Sequence, residues 1–346
     1  MDVSYKFVNY GEDLAPESRT IVLDVGLKTV PGVIDHHHHG AEPECTASLL
    51  AKYPQLVLDH LKPEEFKGKR GKTPCLRVIT HQLPDFDSIA SIFLTVKILE
   101  LGRVDTSMAK IAAYAKLVDS ARLPQDIDLA TTPYSILRAL FAGAAKDPME
   151  MSRDRVAEGL RFMRFLYAKS EEGLEITQNR LMFKGIDRYE RAMRKAEDDY
   201  FRYLEDLARA RKIVLRLPLA SGRGRKLVDG LLIHNPRSFL LKEWARRDST
   251  NPSLRQGYSF ILSNFGAERY SLGVDPEKSI NLRGLADILN AQEAAKRADQ
   301  GWPAGRRWYD GNCPFFNFRI VVSPQDGTIL THQEVVDDLL SFGRAV

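Results

Sequence analysis

The chain has 346 residues, enough for two domains at ~100–200 residues each, and its 44 % hydrophobic and 28 % charged content excludes a disordered chain. Its 23 glycines and 17 prolines exclude collagen-like and low-complexity classes. Lys and Arg number 50 against 46 Asp and Glu, a balance of +4 that is too mild to demand a polyanionic partner yet permits one through local patches.

The first 60 residues read as α/β. Thr20-Ile21-Val22-Leu23 is a β-branched run closed by Asp24, and Gly32-Val33-Ile34 is a second run, followed by Asp35 and four histidines, His36 to His39. Thr46 to Tyr53 predicts a helix with Cys45 or Thr46 near its cap. Lys67 to Pro74, rich in lysine and glycine, reads as a surface loop. Cys75 to Thr80 is strand-like and leads into His81, Pro84, Asp85 and Asp87. A long apolar-periodic helix follows from Asp87 or Ser88. Strands alternating with helices predict a parallel sheet.

From about Arg153 to Lys212 the text is helical and highly charged, as in a connector between domains. Strand-like text resumes at Lys212–Pro218, Gly257–Ser263, Glu268–Val274 and Asn317–Ser323. Helices are predicted over Ile280–Ala298 and Gln333–Phe342. The expected organisation is a parallel-sheet α/β domain over 1–150, a helical connector over 151–212 and a smaller α+β domain over 213–346. Three scattered cysteines, Cys45, Cys75 and Cys313, suggest reduced thiols. With no basic-then-apolar leader and no ~20-residue apolar run, the expectation is a cytoplasmic protein with no membrane partner.

The chemistry concentrates at strand ends. In a parallel sheet the residues just past the carboxyl ends converge on one crevice. Asp24, Asp35 to His39, and His81 with Asp85 and Asp87 all occupy such places. Carboxylate plus imidazole without paired thiolates suits Mn²⁺, less selectively Mg²⁺ or Zn²⁺. So many acids fit two cations better than one, and such pairs activate a bridging water and clamp phosphoryl oxygens. Four consecutive histidines also occur in expression tags, but tags sit in polar termini, and this run follows Val33-Ile34. Asp85 and Asp87 double as candidate helix caps.

Val33-Ile34-Asp35-His36-His37 resembles the Asp-His-His motif of DHH-superfamily phosphoesterases. His81-x-x-Pro84-Asp85-x-Asp87-Ser88 is similar to that family's histidine–aspartate–aspartate motif, Leu23-Asp24 to its strand-terminal aspartate, and Leu117-Val118-Asp119-Ser120 to its last acid. In most members the histidine–aspartate–aspartate motif comes first. Here it follows Asp24 and Asp35-His36-His37, so the resemblance implies a circularly permuted order with 67–74 as the connection. It further implies two Mn²⁺ ions, with Mg²⁺ as a substitute. His81, Asp85 and Asp24 would hold one, and Asp87, His36, Asp119 and the bridging Asp24 the other. His37 would face the scissile phosphate, and Asp35 would orient a histidine.

The second half is similar to the family's accessory substrate-binding domain. The family's Gly-Gly-Gly-His loop is replaced by Gly305-Arg306-Arg307-Trp308-Tyr309-Asp310-Gly311-Asn312. Arg306 and Arg307 are expected to fork onto phosphate oxygens, and Trp308 or Tyr309 to stack on a base. His38 is a further substrate-contact candidate. The expected activity is hydrolysis of a nucleotide or short single-stranded oligonucleotide, with a homodimer left open. The alternatives are a nucleotide-binding sensor or assembly subunit without turnover, a polyphosphate or pyrophosphate hydrolase, and a single-zinc hydrolase.

Overall fold

The computed structural model describes residues 2–66, 75–143, 147–250 and 257–344. The lysine- and glycine-rich segment 67–74 lies outside the described residues. The chain is mixed α/β and divides into two compact units: Met1–Ala196 with Cys313–Phe315, and Glu197–Asn312 with Phe316–Val346. Among the described residues no helix is long and apolar enough to cross a membrane.

The first unit is built on β1 (Val3–Val8), β2 (Thr20–Leu23), β3 (Thr29–Val30), β4 (Val33–Ile34) and β5 (Leu76–His81), in the order β1-β5-β2-β4-β3. All pairs are parallel except β3 with β4. Strand β2 sits centrally and is buried along its whole length, as a strand covered on both faces must be. Strand β1 lies at the edge and alternates in burial.

Around this sheet run α1 (Thr46–Lys52), α2 (Gln55–Leu58), α3 (Phe86–Leu101), α4 (Thr106–Asp119), α5 (Pro133–Phe141) and α6 (Pro148–Glu171). Asp85 caps α3 by accepting from the Ser88 amide at 3.1 Å. Helix α3 is buried on most sides, and α6 packs closely on it: a Cβ at Gly159 would come within 2.6 Å of Ile89.

Beyond α6 follow α7 (Arg180–Phe183) and α8 (Asp187–Arg209). The helical text expected over 151–212 is therefore interrupted, and Gly173, with φ +83°, supplies the left-handed turn that ends α6. Nor does it stand apart as a connector. Helix α6 belongs to the first unit, and α8 contributes residues to both.

The second unit carries a mixed sheet of β6 (Arg211–Pro218), β7 (Arg225–His234), β8 (Phe260–Asn264), β9 (Tyr270–Val274) and β10 (Ile320–Val322), in the order β10-β9-β8-β7-β6. Strand β6 buries Ile213, Leu215 and Leu217 by strict alternation. They share a core with α10 (Leu285–Asp299) and α11 (His332–Arg344) through Leu285, Leu289, Val335 and Leu339. Leu231, Ile233 and Ile261 join a second cluster with Tyr203 of α8 and residues of α9 (Leu241–Arg246). Strand β7, which begins at Arg225 and Lys226, was not expected from the sequence. Only 219–224 forms the hairpin connection.

Candidate metal centre

Register brings the key residues side by side. Val22 pairs with Ile79, and Leu23 with Ile34. Continued by one or two positions, β2 sets Asp24 between His81 and Asp35. Asp24 adopts φ +64°, a left-handed conformation that aspartate tolerates better than most residues and that turns the chain at the strand end. Gly26 continues this turn at φ +110°, where a Cβ would meet Val33 at 2.6 Å.

Three groups of ligand-type atoms lie within 4.8 Å of one another: Asp24, His81 and Asp85; His36, Asp87 and Asp119; and Asp24 with Asp35, His36 and His37. Asp24 links them. Its Oδ2 is 3.3 Å from His81 Nε2, and its Oδ1 is 3.4 Å from His36 Nδ1.

Hydrogen bonds orient both imidazoles. His81 Nδ1 donates to the Gln82 carbonyl at 2.8 Å, which in the neutral ring leaves the Nε2 lone pair turned toward Asp24. Thr46 Oγ1 gives its proton to Asp24 Oδ1 at 3.2 Å and so accepts from His36 Nδ1 at 3.1 Å. The neutral His36 ring then presents its Nε2 lone pair to Asp119 Oδ2, 3.2 Å away. Ser88 Oγ donates to Asp24 Oδ2 at 2.6 Å and lies 2.5 Å from His81 Nε2. Asp87 accepts from the first two amides of α1, Thr46 at 2.9 Å and Ala47 at 3.0 Å, where the helix dipole favours negative charge.

The electrostatics suit cations. Burial pushes Asp87 well above the usual carboxylate range, and the charges of Asp24 and Asp119 push it further. Burial raises Asp85 as well, reinforced by Asp24. Burial would raise Asp24 too, but the imidazoles of His81, His37 and His36 beside it hold it well below the usual range. Crowded carboxylates facing imidazole lone pairs make a donor set matched to divalent ions. The residues present therefore fit one cation between Asp24, His81 and Asp85 and another between His36, Asp87 and Asp119.

His37 differs from its neighbour. Its Nδ1 donates to Asp35 Oδ1 at 2.7 Å, and its backbone amide reaches the same oxygen at 2.9 Å. Asp35 Oδ2 accepts from the Leu27 amide at 2.7 Å, so Asp35 is held as an orienting group. Burial works against a charged His37, yet Asp35 raises its pKa to about 10.

Of the substrate-contact candidates, His38 bonds through Nε2 to the Thr29 hydroxyl at 3.1 Å and joins none of the ligand groups. Arg306 and Arg307 are exposed residues of the second unit, outside the cluster. The expected base-stacking role of Trp308 is overturned. Its side chain is 3 % exposed, its indole N–H donates to Glu293 at 2.9 Å, and its ring stacks on Tyr270. No face is left for a base.

Sequence reasoning missed three neighbours of the site. Tyr10, just beyond β1, stacks on His81 with ring centroids 4.4 Å apart. Phe315, assigned with the first unit, sets its ring edge against His36 at 4.9 Å. Thr46, read only as a cap, connects His36 to Asp24. A strand ending beside His81 would have pointed to Tyr10. No local pattern marks Phe315.

Comparison with protein-family models, with curated proteins and with solved structures gives no match for this chain.

Proposed function

We propose that the first unit is a divalent-cation-dependent phosphoesterase of the DHH type with permuted motif order, loaded with two Mn²⁺ ions or, alternatively, Mg²⁺. The observation that carries this reading is Asp24, which belongs to two acid–imidazole groups and lies, through Oδ1, 3.4 Å from His36 Nδ1 of the third. Asp24, His81 and Asp85 would hold one ion, and His36, Asp87 and Asp119 the other, with Asp24 between them. Bound cations would supply an activated water and neutralise charge on the phosphoryl oxygens.

The chain's own groups do the rest. Thr46 and Ser88 fix the Asp24 carboxylate by donating to its two oxygens. Asp35 sets the ring plane of His37 and keeps it protonated, which suits it to hand a proton to the leaving oxygen. Burial of Trp308 removes one of the two aromatics, Trp308 and Tyr309, on which a preference for nucleotides over polyphosphate or pyrophosphate rested. The proposed reaction is hydrolysis of a phosphorus–oxygen ester or anhydride.

The test is turnover of bis(p-nitrophenyl) phosphate, p-nitrophenyl phosphate and pyrophosphate with and without Mn²⁺, beside elemental analysis of the loaded chain. Two ions per chain are expected, with a rate loss of roughly 100-fold or more in Asp24→Asn or Asp87→Asn. Turnover indifferent to both substitutions overturns the reading.

A further inference from the structure

Tyr10 stands beside the cluster and belongs to none of its ligand groups. Backbone pairing puts it there. Val8 of β1 pairs with His81 in register, and the Gln82 amide donates to the Val8 carbonyl at 3.0 Å. The chain then turns at Tyr10 and Gly11, with Gly11 at φ +80°, and the Asn9 amide donates to Glu12 Oε1 at 3.1 Å.

The ring contacts of Tyr10 lie on one side. The ring stacks on His81, with centroids 4.4 Å apart and planes 24° from parallel, and meets His37 at 5.8 Å and 67°. Both imidazoles reach Asp24, His81 through Nε2 at 3.3 Å and His37 through Nδ1 at 3.6 Å, so both lie on the cluster's side of the ring. Yet Tyr10 is 41 % exposed, and among the described residues no other ring and no cation stands against it. Its uncovered surface is the one turned away from Asp24.

His37 says which part of a substrate meets that surface. In the proposed reaction His37 hands its proton to the leaving oxygen, and Tyr10 is the ring beside it. The group that departs on that oxygen therefore lies next to Tyr10. A phosphate chain gains nothing there, because the face of an aromatic ring is its negative side. A flat base does, because every base has a π-face to lay on a ring already held in place.

We propose that Tyr10 is a stacking platform for a nucleobase carried on the leaving side of the scissile phosphorus–oxygen bond. The assignment rests on the phosphoesterase reading and narrows its substrate from any ester or anhydride to a nucleoside ester.

The experiment compares two ligands that differ only by the base: the 5′-methylenephosphonate analogues of AMP and of ribose 5-phosphate, whose phosphorus–carbon bond is not hydrolysed. Calorimetry with Mn²⁺ gives their affinities for the wild type, Tyr10→Phe and Tyr10→Leu, and Mn²⁺ uptake is followed in the same proteins. Tyr10→Leu is expected to bind the adenosine analogue roughly 10–100-fold more weakly, with the ribose analogue and Mn²⁺ uptake unchanged. Tyr10→Phe keeps the ring and should bind both ligands as the wild type does. With AMP and ribose 5-phosphate as substrates, the ratio of their kcat/KM values should fall by the same factor in Tyr10→Leu alone. A merely structural Tyr10 would weaken both ligands together, and that result overturns the platform. So does an adenosine-analogue affinity that Tyr10→Leu leaves unchanged, or a loss in Tyr10→Phe equal to that in Tyr10→Leu, which would assign the effect to the hydroxyl. Ring-dependent binding of the adenosine analogue without turnover of any ester overturns the phosphoesterase reading alone.

Discussion

His36 Nε2 and Asp119 Oδ2 face each other across 3.2 Å, each presenting a lone pair when the ring is neutral. Two acceptors at hydrogen-bond distance repel unless a proton or a cation sits between them. Asp119→Asn replaces one acceptor with an amide donor. Without added metal the variant is expected to be more stable by about 1 kcal/mol, a rise of roughly 2–4 °C for a unit of this size. With Mn²⁺, stoichiometry falls from two ions to one. Melting curves in chelator and in Mn²⁺ check both, and a lower melting point in chelator would show that the two atoms are not in conflict.

Thr46 passes one hydrogen bond to Asp24 and receives another from His36. Thr46→Val keeps the shape and removes both. A Mn²⁺ affinity lower by about 10–100-fold is expected, and Thr46→Ser should restore it. Competition with a fluorescent chelator measures the difference.

Cation binding should stabilise the first unit selectively. Ions that bind only the folded state contribute about 2.7 kcal/mol at a hundredfold excess over Kd. In scanning calorimetry the first unit's transition should rise with Mn²⁺, while that of Glu197–Asn312 with Phe316–Val346 should not. Equal movement of every transition would count against a site confined to the first unit.

Trp308 tests the core assignment. Glu293, itself 4 % exposed, accepts from the Trp308 indole, from Thr328 Oγ1 at 2.6 Å and from Arg297. Trp308→Phe keeps the ring and deletes one donor, so the second unit should lose about 1–3 kcal/mol. Affinity for a single-stranded oligonucleotide should not change. Urea unfolding and fluorescence anisotropy give the two numbers.

The strand-end residues were legible because each follows a short β-branched run, and a parallel sheet gathers such ends by geometry alone. Asp85 was legible as a cap because its partner, Ser88, is three residues on. Strand β1 was not read: it lies at the edge, and its alternation includes Ser4 and Lys6. Tyr10 went unseen with it. Strand β7 was masked by its charged start and by Gly230, which in fact sits against Phe260, where a Cβ would come within 2.9 Å. Trp308 carries an apolar body and a polar tip, and sequence alone does not say whether the tip meets a base or a buried Glu293.

Asp85 serves two masters. Its Oδ1 receives the Ser88 amide that starts α3, and its carboxylate also belongs to the group with Asp24 and His81. An ion that draws on that carboxylate competes with the amide, so the opening turn of α3 becomes a gauge of occupancy. Hydrogen–deuterium exchange at Ser88 should quicken on loading even as the surrounding unit tightens, giving a readout of ion binding that needs no substrate.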